Sequence, residues 1–161
     1  MKSACFTGHR RISGNITKIK KNLYNTLEYY INKYGLTDFY AGGAVGWDTI
    51  SAIEVIKLRI IYPQIKLHMI LPCSNEEQTK YMNTQQKEIF YNILRFADSI
   101  EYVSQNYYNG CMKLRNARLV EYADCCLCYF NPDNKYSGTF QTVNMANKKN
   151  IAVINFFHYK K

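Results

Sequence analysis

The chain has 161 residues, the length of one domain, enough to bury a core without disulfide or metal staples. Hydrophobic residues make up 47% and charged ones 20%, a balance that excludes an intrinsically disordered chain. No apolar run approaches the ~20 residues of a membrane-spanning helix, so no membrane partner is expected. The net charge of +9 permits a polyanionic partner without requiring one. Of the 21 basic residues 15 are Lys, beside 16 Asn, 16 Ile and 15 Tyr, the joint enrichment that AT-rich codons produce.

Residues 1–6 turn polar at Thr7, too short a run for a signal peptide, so a cytoplasmic protein is expected. Of the six cysteines, Cys125, Cys126 and Cys128 crowd one apolar run, while Cys5, Cys73 and Cys111 are scattered. Their spacing suits neither a zinc site nor a disulfide framework, and buried reduced thiols with no bound metal are expected.

Strand-length apolar runs alternate with stretches of helical period. Ser3 to Thr7 reads as the first strand. Ile16, Ile19, Leu23, Leu27, Tyr30 and Tyr34 then recur at helical spacing up to Gly35. Asp38 to Ala41 is a short second strand. A helix follows with Ile50, Ile53, Ile56 and Ile60 on one face, ending before Pro63. Lys66 to Leu71 is the third strand, and Asn75 to Phe96 reads as one mostly polar helix. Ser99 to Val103 is the fourth strand, residues 104–110 a loop, and Met112 to Ala123 a helix. Cys125 to Phe130 and Ile151 to Phe156 are the fifth and sixth strands, with a helix over Thr139 to Lys149 between them. This alternation predicts an α/β fold: a three-layer Rossmann-like sandwich with a mainly parallel sheet of about six strands, forming a single domain over residues 1–161.

Ligands of such sheets bind at the carboxyl ends of the strands. There the first strand runs into Thr7, Gly8, His9, Arg10 and Arg11. The second runs into Gly42, Gly43, Ala44, Val45, Gly46, Trp47 and Asp48, the third into Pro72 and Cys73, and the fifth leads to Ser137, Gly138 and Thr139. Glycines allow backbone N–H groups to approach a phosphate, and a following helix adds its positive end. On this reading Gly43→Val abolishes binding and leaves folding largely intact. Arg10 is placed to pair an anionic oxygen, with Arg11 in solvent. Asp48 is either a helix cap or an acceptor for ribose hydroxyls. His9 either donates to a ligand or braces its loop. His68 reads as a satisfied core histidine and His158 as a surface residue.

These segments resemble the SLOG superfamily, in its YpsA-like branch of bacterial and phage proteins. CFTGHR (5–10) is similar to the branch's opening motif and AGGAVGWD (41–48) to its glycine-rich one. LPC (71–73) with Gln78 and Tyr81 is similar to the third, GCMKLRNARLVEYAD (110–124) to the segment carrying an Arg-Asn pair, and SGT (137–139) to the final loop. The resemblance implies a Rossmann-like domain that binds a nucleotide-derived ligand, such as an NAD- or ADP-ribose-like molecule. Arg10 and Arg115 would pair its phosphates on the Gly42–Gly46 and Ser137–Thr139 loops, with Thr7, Asp48 and Asn116 at ribose or base. It also implies a homo-oligomer built through flanking helices, with Tyr81, Phe90, Tyr91 and Leu94 as candidate contacts. In a phage or prophage setting such a module would sequester a messenger.

Two departures bear on the reaction. Ser137 replaces the first glycine of the last loop. Gln141 stands where the phosphoribohydrolases of the superfamily carry a glutamate, and a neutral amide is no general base. Binding or sensing is therefore the first reading. Hydrolysis of a nucleotide N-glycosidic bond, with Asp48, Glu54 and Arg115 as candidate catalytic residues, is the alternative. Single-stranded nucleic-acid binding is the third, since stacking platforms in basic grooves suit it. Arg115 is expected at a solvated pocket rim, where its loss leaves the melting temperature unchanged; loss of Asn116 is expected to lower it.

Overall fold

The computed structural model describes residues 1–157. In chain order the elements are β1 (Ser3–Gly8), α1 (Ile16–Tyr34), β2 (Asp38–Ala41), α2 (Trp47–Leu58), β3 (Lys66–Leu71) and α3 (Asn75–Thr79). Then follow α4 (Thr84–Phe96), β4 (Ser99–Tyr102), α5 (Cys111–Tyr122), β5 (Cys125–Tyr129), α6 (Gly138–Lys148) and β6 (Ala152–Asn155). The strands form one parallel sheet in the order β4-β3-β2-β1-β5-β6, an α/β Rossmann-like arrangement. No helix among the described residues is long and apolar enough to cross a membrane.

The pleat divides the core into two layers. Ala4 and Phe6 of β1, with Cys125, Leu127 and Tyr129 of β5, face α1, α2 and α4. Cys5, Cys126 and Cys128 point the other way, under α5 and α6. All six cysteines are buried and free. Burial pushes the Cys125 thiol up to about 12, so it stays a protonated apolar filler.

Local chemistry fixes the helix ends. Asn15 accepts the Lys18 N–H at 3.0 Å to start α1, and Gly35, at φ 66°, ends it in the left-handed region. Between them Ile19, Leu23, Leu27 and Ile31 form the buried stripe. The stretch expected as one helix from Asn75 to Phe96 is two. Asn83 and Gln86 form a reciprocal capping box, with N···O distances of 2.8 and 3.0 Å, which restarts the chain as α4.

The isoleucine stripe of α2 is also corrected. Its buried face is Trp47, Ser51, Ala52, Val55 and Leu58, while Ile60 lies beyond the helix and is 86% exposed. α2 is apolar nearly all round because it lies between the sheet, α1 and α4. Its small residues take the close contact with the sheet, and Ile50, Ile53 and Ile56 fill the flanks. Of the residues expected at an oligomer contact, Phe90 and Leu94 are buried in the core, leaving Tyr81 and Tyr91 exposed.

From β1 the sheet grows outward through β2, β3 and β4; α5 then returns the chain to β5, on the other side of β1. β1 and β5 are thus neighbours whose following helices pack on opposite faces, α1 against α2 and α6 against α5. Their carboxyl-end loops must part, and this is where an open α/β sheet forms its crevice.

Candidate functional site

A cavity of about 340 Å³ opens between the ends of β1 and β5, within the size range of small-ligand sites. Its floor is the end of β1, from Phe6 through Thr7, Gly8 and His9 to Arg10. Met112, Arg115, Asn116 and Leu119 of α5 form one wall and Ser137, Gly138 and Thr139 the other, while Ala44 of the β2–α2 loop and Asp48 of α2 close it.

The α6 wall is a helix start. Ser137 Oγ accepts the Phe140 N–H at 3.1 Å, and the Ser137 carbonyl accepts the Gln141 N–H at 3.2 Å. The amides of Gly138 and Thr139 are first-turn donors to which the helix offers no acceptor. A Cβ on Gly138 would meet nothing nearer than Asn116 Nδ2 at 3.7 Å, so the backbone is bare on the cavity side. Unpaired amides and the positive helix end together favour an anion.

Arg115 and Asp48 face this helix start, each only 5% exposed. Arg115 Nη1 lies 3.4 Å from Asp48 Oδ2, and the Ala44 N–H donates to the same oxygen at 3.2 Å. Burial pushes the Asp48 carboxyl above the usual carboxylate range, against the opposing pull of the Arg115 guanidinium. Arg115 Nε has no partner among the described residues. The expected solvated rim position of Arg115 is therefore corrected: it is an internal cation held by one long contact. Asp48 does not cap α2, whose N-cap is Gly46 without a side-chain cap. Arg10, exposed yet close enough for both buried charges to feel it, leaves two guanidiniums against one carboxylate.

His9 is a brace. Its Nε2 accepts the Asn131 N–H at 2.9 Å, and its backbone N–H donates to the Tyr129 carbonyl at 3.1 Å. The ring lies beside Tyr129 and Phe130. Accepting at Nε2 puts the neutral ring's proton on Nδ1, and burial lowers the His9 pKa. Thr7, Asn116 and Thr139 are buried on the cavity wall, and none of their side-chain polar atoms is hydrogen-bonded among the described residues.

The glycine-rich segment has a different part from the one expected. Gly42, Gly43 and Gly46 do not line the cavity. A Cβ on Gly42 would fall on the Arg115 guanidinium and 2.8 Å from Asp48 Oδ2. One on Gly46 (φ 85°) would run into the carbonyls of His9 and Arg10, where the Trp47 N–H donates to His9 O at 3.2 Å. One on Gly43 (φ 76°) would lie 2.7 Å from Leu71 Cδ2. These glycines let side chains and loops close on one another, so Gly43→Val would disturb packing before it touched any ligand.

Pro72 and Cys73 line a second cavity, of about 590 Å³, which shares Arg10, Ala44 and Met112 with the first. Glu54 belongs to neither. It is 3% exposed, pairs with Lys57 at 2.8 Å, and lies with Lys20 and Tyr24 along α1, which removes it as a candidate base. His68 is satisfied but only partly buried, bonded to Ser99 Oγ at 2.7 Å and Asp38 Oδ1 at 2.9 Å and stacked on Tyr40. His158 lies outside the described residues. Met112, in both cavities, and Tyr107, in the second, are lining residues absent from the sequence expectations. Tyr107 sits in a loop whose composition marks only a turn.

Comparisons with known proteins agree with this architecture. The family model described as YspA SLOG family matches residues 6–159. A UPF0398 protein of Bacillus pumilus is 28% identical over 157 residues, covering 91% of this chain and 83% of its own. Its counterpart in Brevibacillus brevis is 30% identical over 132 residues, covering 81% and 69%. For one from Halalkalibacterium halodurans the match is 28% over 127 residues, 78% of this chain and 66% of that protein. The X-ray structure of TM1055, a structural-genomics target, superposes with a TM-score of 0.56 over 95% of this chain and 72% of that one. At 13% identity it is similar in fold alone.

Proposed function

This chain belongs to the YspA SLOG family, and from that premise we propose that it binds a nucleotide-derived ligand of the NAD or ADP-ribose kind in the crevice between β1 and β5. The family and the Rossmann-like fold suggest binding or processing of a nucleotide-related ligand. The cavity chemistry supports the finer reading. The observation that carries it is the bare start of α6 at Gly138 and Thr139, set opposite Arg115 and beside Arg10. Phosphate oxygens would take those amides and the exposed Arg10 fork. The Thr7 and Thr139 hydroxyls and the Asn116 amide would serve ribose.

The cleavage alternative now rests on Asp48 alone, since Glu54 lies elsewhere. Asp48 is committed to Arg115 and the Ala44 amide, which favours a positioning role over that of a base. Binding is the reading that the site supports better.

Native mass spectrometry of the purified protein, followed by calorimetry with NAD and ADP-ribose, tests this reading. A co-bound nucleotide or a saturable heat that is lost on Arg10→Ala supports it. No nucleotide and no heat at millimolar concentration would overturn it. Incubation with the bound ligand and chromatography of the products separates binding from cleavage.

A further inference from the structure

The two cavities share a wall, and of the two only the second is lined by tyrosine rings. The first is lined by hydroxyls, an amide, charges and helix-start backbone. The second sets Tyr81, Met82 and Tyr107 among the polar side chains of Glu77, Gln78, Lys80 and Gln86, with Met112 at the junction. Tyr81 is 90% exposed and Tyr107 60% exposed, so both rings already stand in solvent at the cavity's edge. Arg10 belongs to both cavities and marks where a linking group would pass.

Gln78 adds direction. Its Nε2 donates to the Gly42 carbonyl at 3.4 Å, which fixes the amide orientation because a flipped oxygen would oppose that carbonyl. Its Oε1 then has no donor among the described residues. Tyrosine faces and thioethers suit a flat ring, and an acceptor without a donor suits a ring edge that carries an amine. A wholly apolar guest would leave that acceptor unpaired.

We infer that the second cavity is the base subsite of the ligand: a planar, amine-bearing ring stacks among Tyr81, Tyr107 and Met112 and donates to Gln78, while the phosphate end lies across Arg10 at the start of α6. This rests on the proposed nucleotide reading and assigns the larger cavity to specificity. The ligand class is then an aminopurine-type nucleotide rather than a bare sugar phosphate.

Calorimetry with AMP and with ribose 5-phosphate tests it on the intact chain. Wild-type protein is expected to bind AMP at least tenfold more tightly than ribose 5-phosphate. Tyr107→Ala and Gln78→Leu are each expected to weaken AMP about tenfold and to leave ribose 5-phosphate unchanged, with melting curves confirming the folded state. If AMP binds no more tightly than ribose 5-phosphate, or if both variants bind AMP as wild type does, the base subsite is overturned and the anion site stands. An equal loss of both probes in the variants also overturns it, because the residues then act on the anion site or the fold. Failure of wild-type protein to bind AMP also overturns this inference, and the nucleotide reading falls with it only if NAD and ADP-ribose give no heat either.

Discussion

The guanidinium of Arg115 occupies the volume that a side chain on Gly42 would need. A cation on α5 thus reaches under the loop after β2 to meet Asp48 at the start of α2. The first glycine of the GGxxG stretch is there for the protein's own arginine. The backbone proposed to hold an anion is instead at α6, on the other side of the sheet's switch point.

Gly42→Ala should therefore act on stability first. Its methyl displaces Arg115 from Asp48 and leaves two buried charges unpaired, for which a loss of about 3 kcal/mol or more is expected. Urea denaturation measures it. A midpoint within error of wild type would show that Arg115 relocates freely and that the contact is incidental.

Arg115 and Asn116 should separate in the reverse of the sense that the sequence suggests. Arg115→Ala abandons the buried Asp48 carboxylate, at about 3–5 kcal/mol, and Asp48→Asn in that background should restore part of the loss. Asn116→Ala removes an amide with no hydrogen-bond partner among the described residues and should change stability by less than about 1 kcal/mol, while weakening ADP-ribose. Denaturation of the three variants with calorimetry on Asn116→Ala checks both halves. Equal stability loss in the two alanine variants would reject this division.

His9 should make stability fall on mild acidification. Burial lowers its pKa in the folded state, so below the unfolded value of about 6.5 the unfolded chain binds the proton more readily. The stability that this group contributes is present above about 6.5 and is lost as pH falls through the lower folded value. Protonation also removes the Nε2 acceptor from Asn131. Asp124, held below its usual pKa by the Lys2 amide, contributes only in the acid range near and below 3.8. Thermal melts between pH 7 and 5 should show a slope in wild type that His9→Gln flattens. An unchanged slope would assign the effect to another group.

Much of this was legible in the sequence because it is local. Gly35 ends α1, apolar runs mark β3 and β5, and small residues collect where strands become helices. The strand ends could be placed on one edge without knowing the sheet order. The purpose of each glycine could not, because it depends on what arrives from a distant element: Arg115 beneath Gly42, the His9 carbonyl against Gly46, Leu71 against Gly43. The same limit applies to Arg115, whose burial follows from a carboxylate 67 positions away. The break between α3 and α4 was readable in the Asn83–Gln86 capping box. The base-sized cavity was not, since it joins the end of β3, α3 and the loop before α5.

Gly138 is the position where a steric block should act on the ligand alone. It opens α6 in ordinary helical backbone with no positive φ, and a Cβ there finds only Asn116 Nδ2, at 3.7 Å. Gly138→Ala should leave the fold intact and stabilise it by up to about 0.5–1 kcal/mol, because the unfolded chain loses freedom. The Ser137 cap is unaffected, since it uses the Phe140 amide. Gly138→Val places two further methyl groups at the cavity wall, over the amides proposed for phosphate. ADP-ribose binding should fall at least tenfold in the valine variant and less in the alanine one, with melting temperatures at or near wild type in both. Calorimetry and thermal melts on the pair check this. Unchanged affinity in Gly138→Val would place the anion away from α6, leaving Arg10 and the second cavity to hold the ligand.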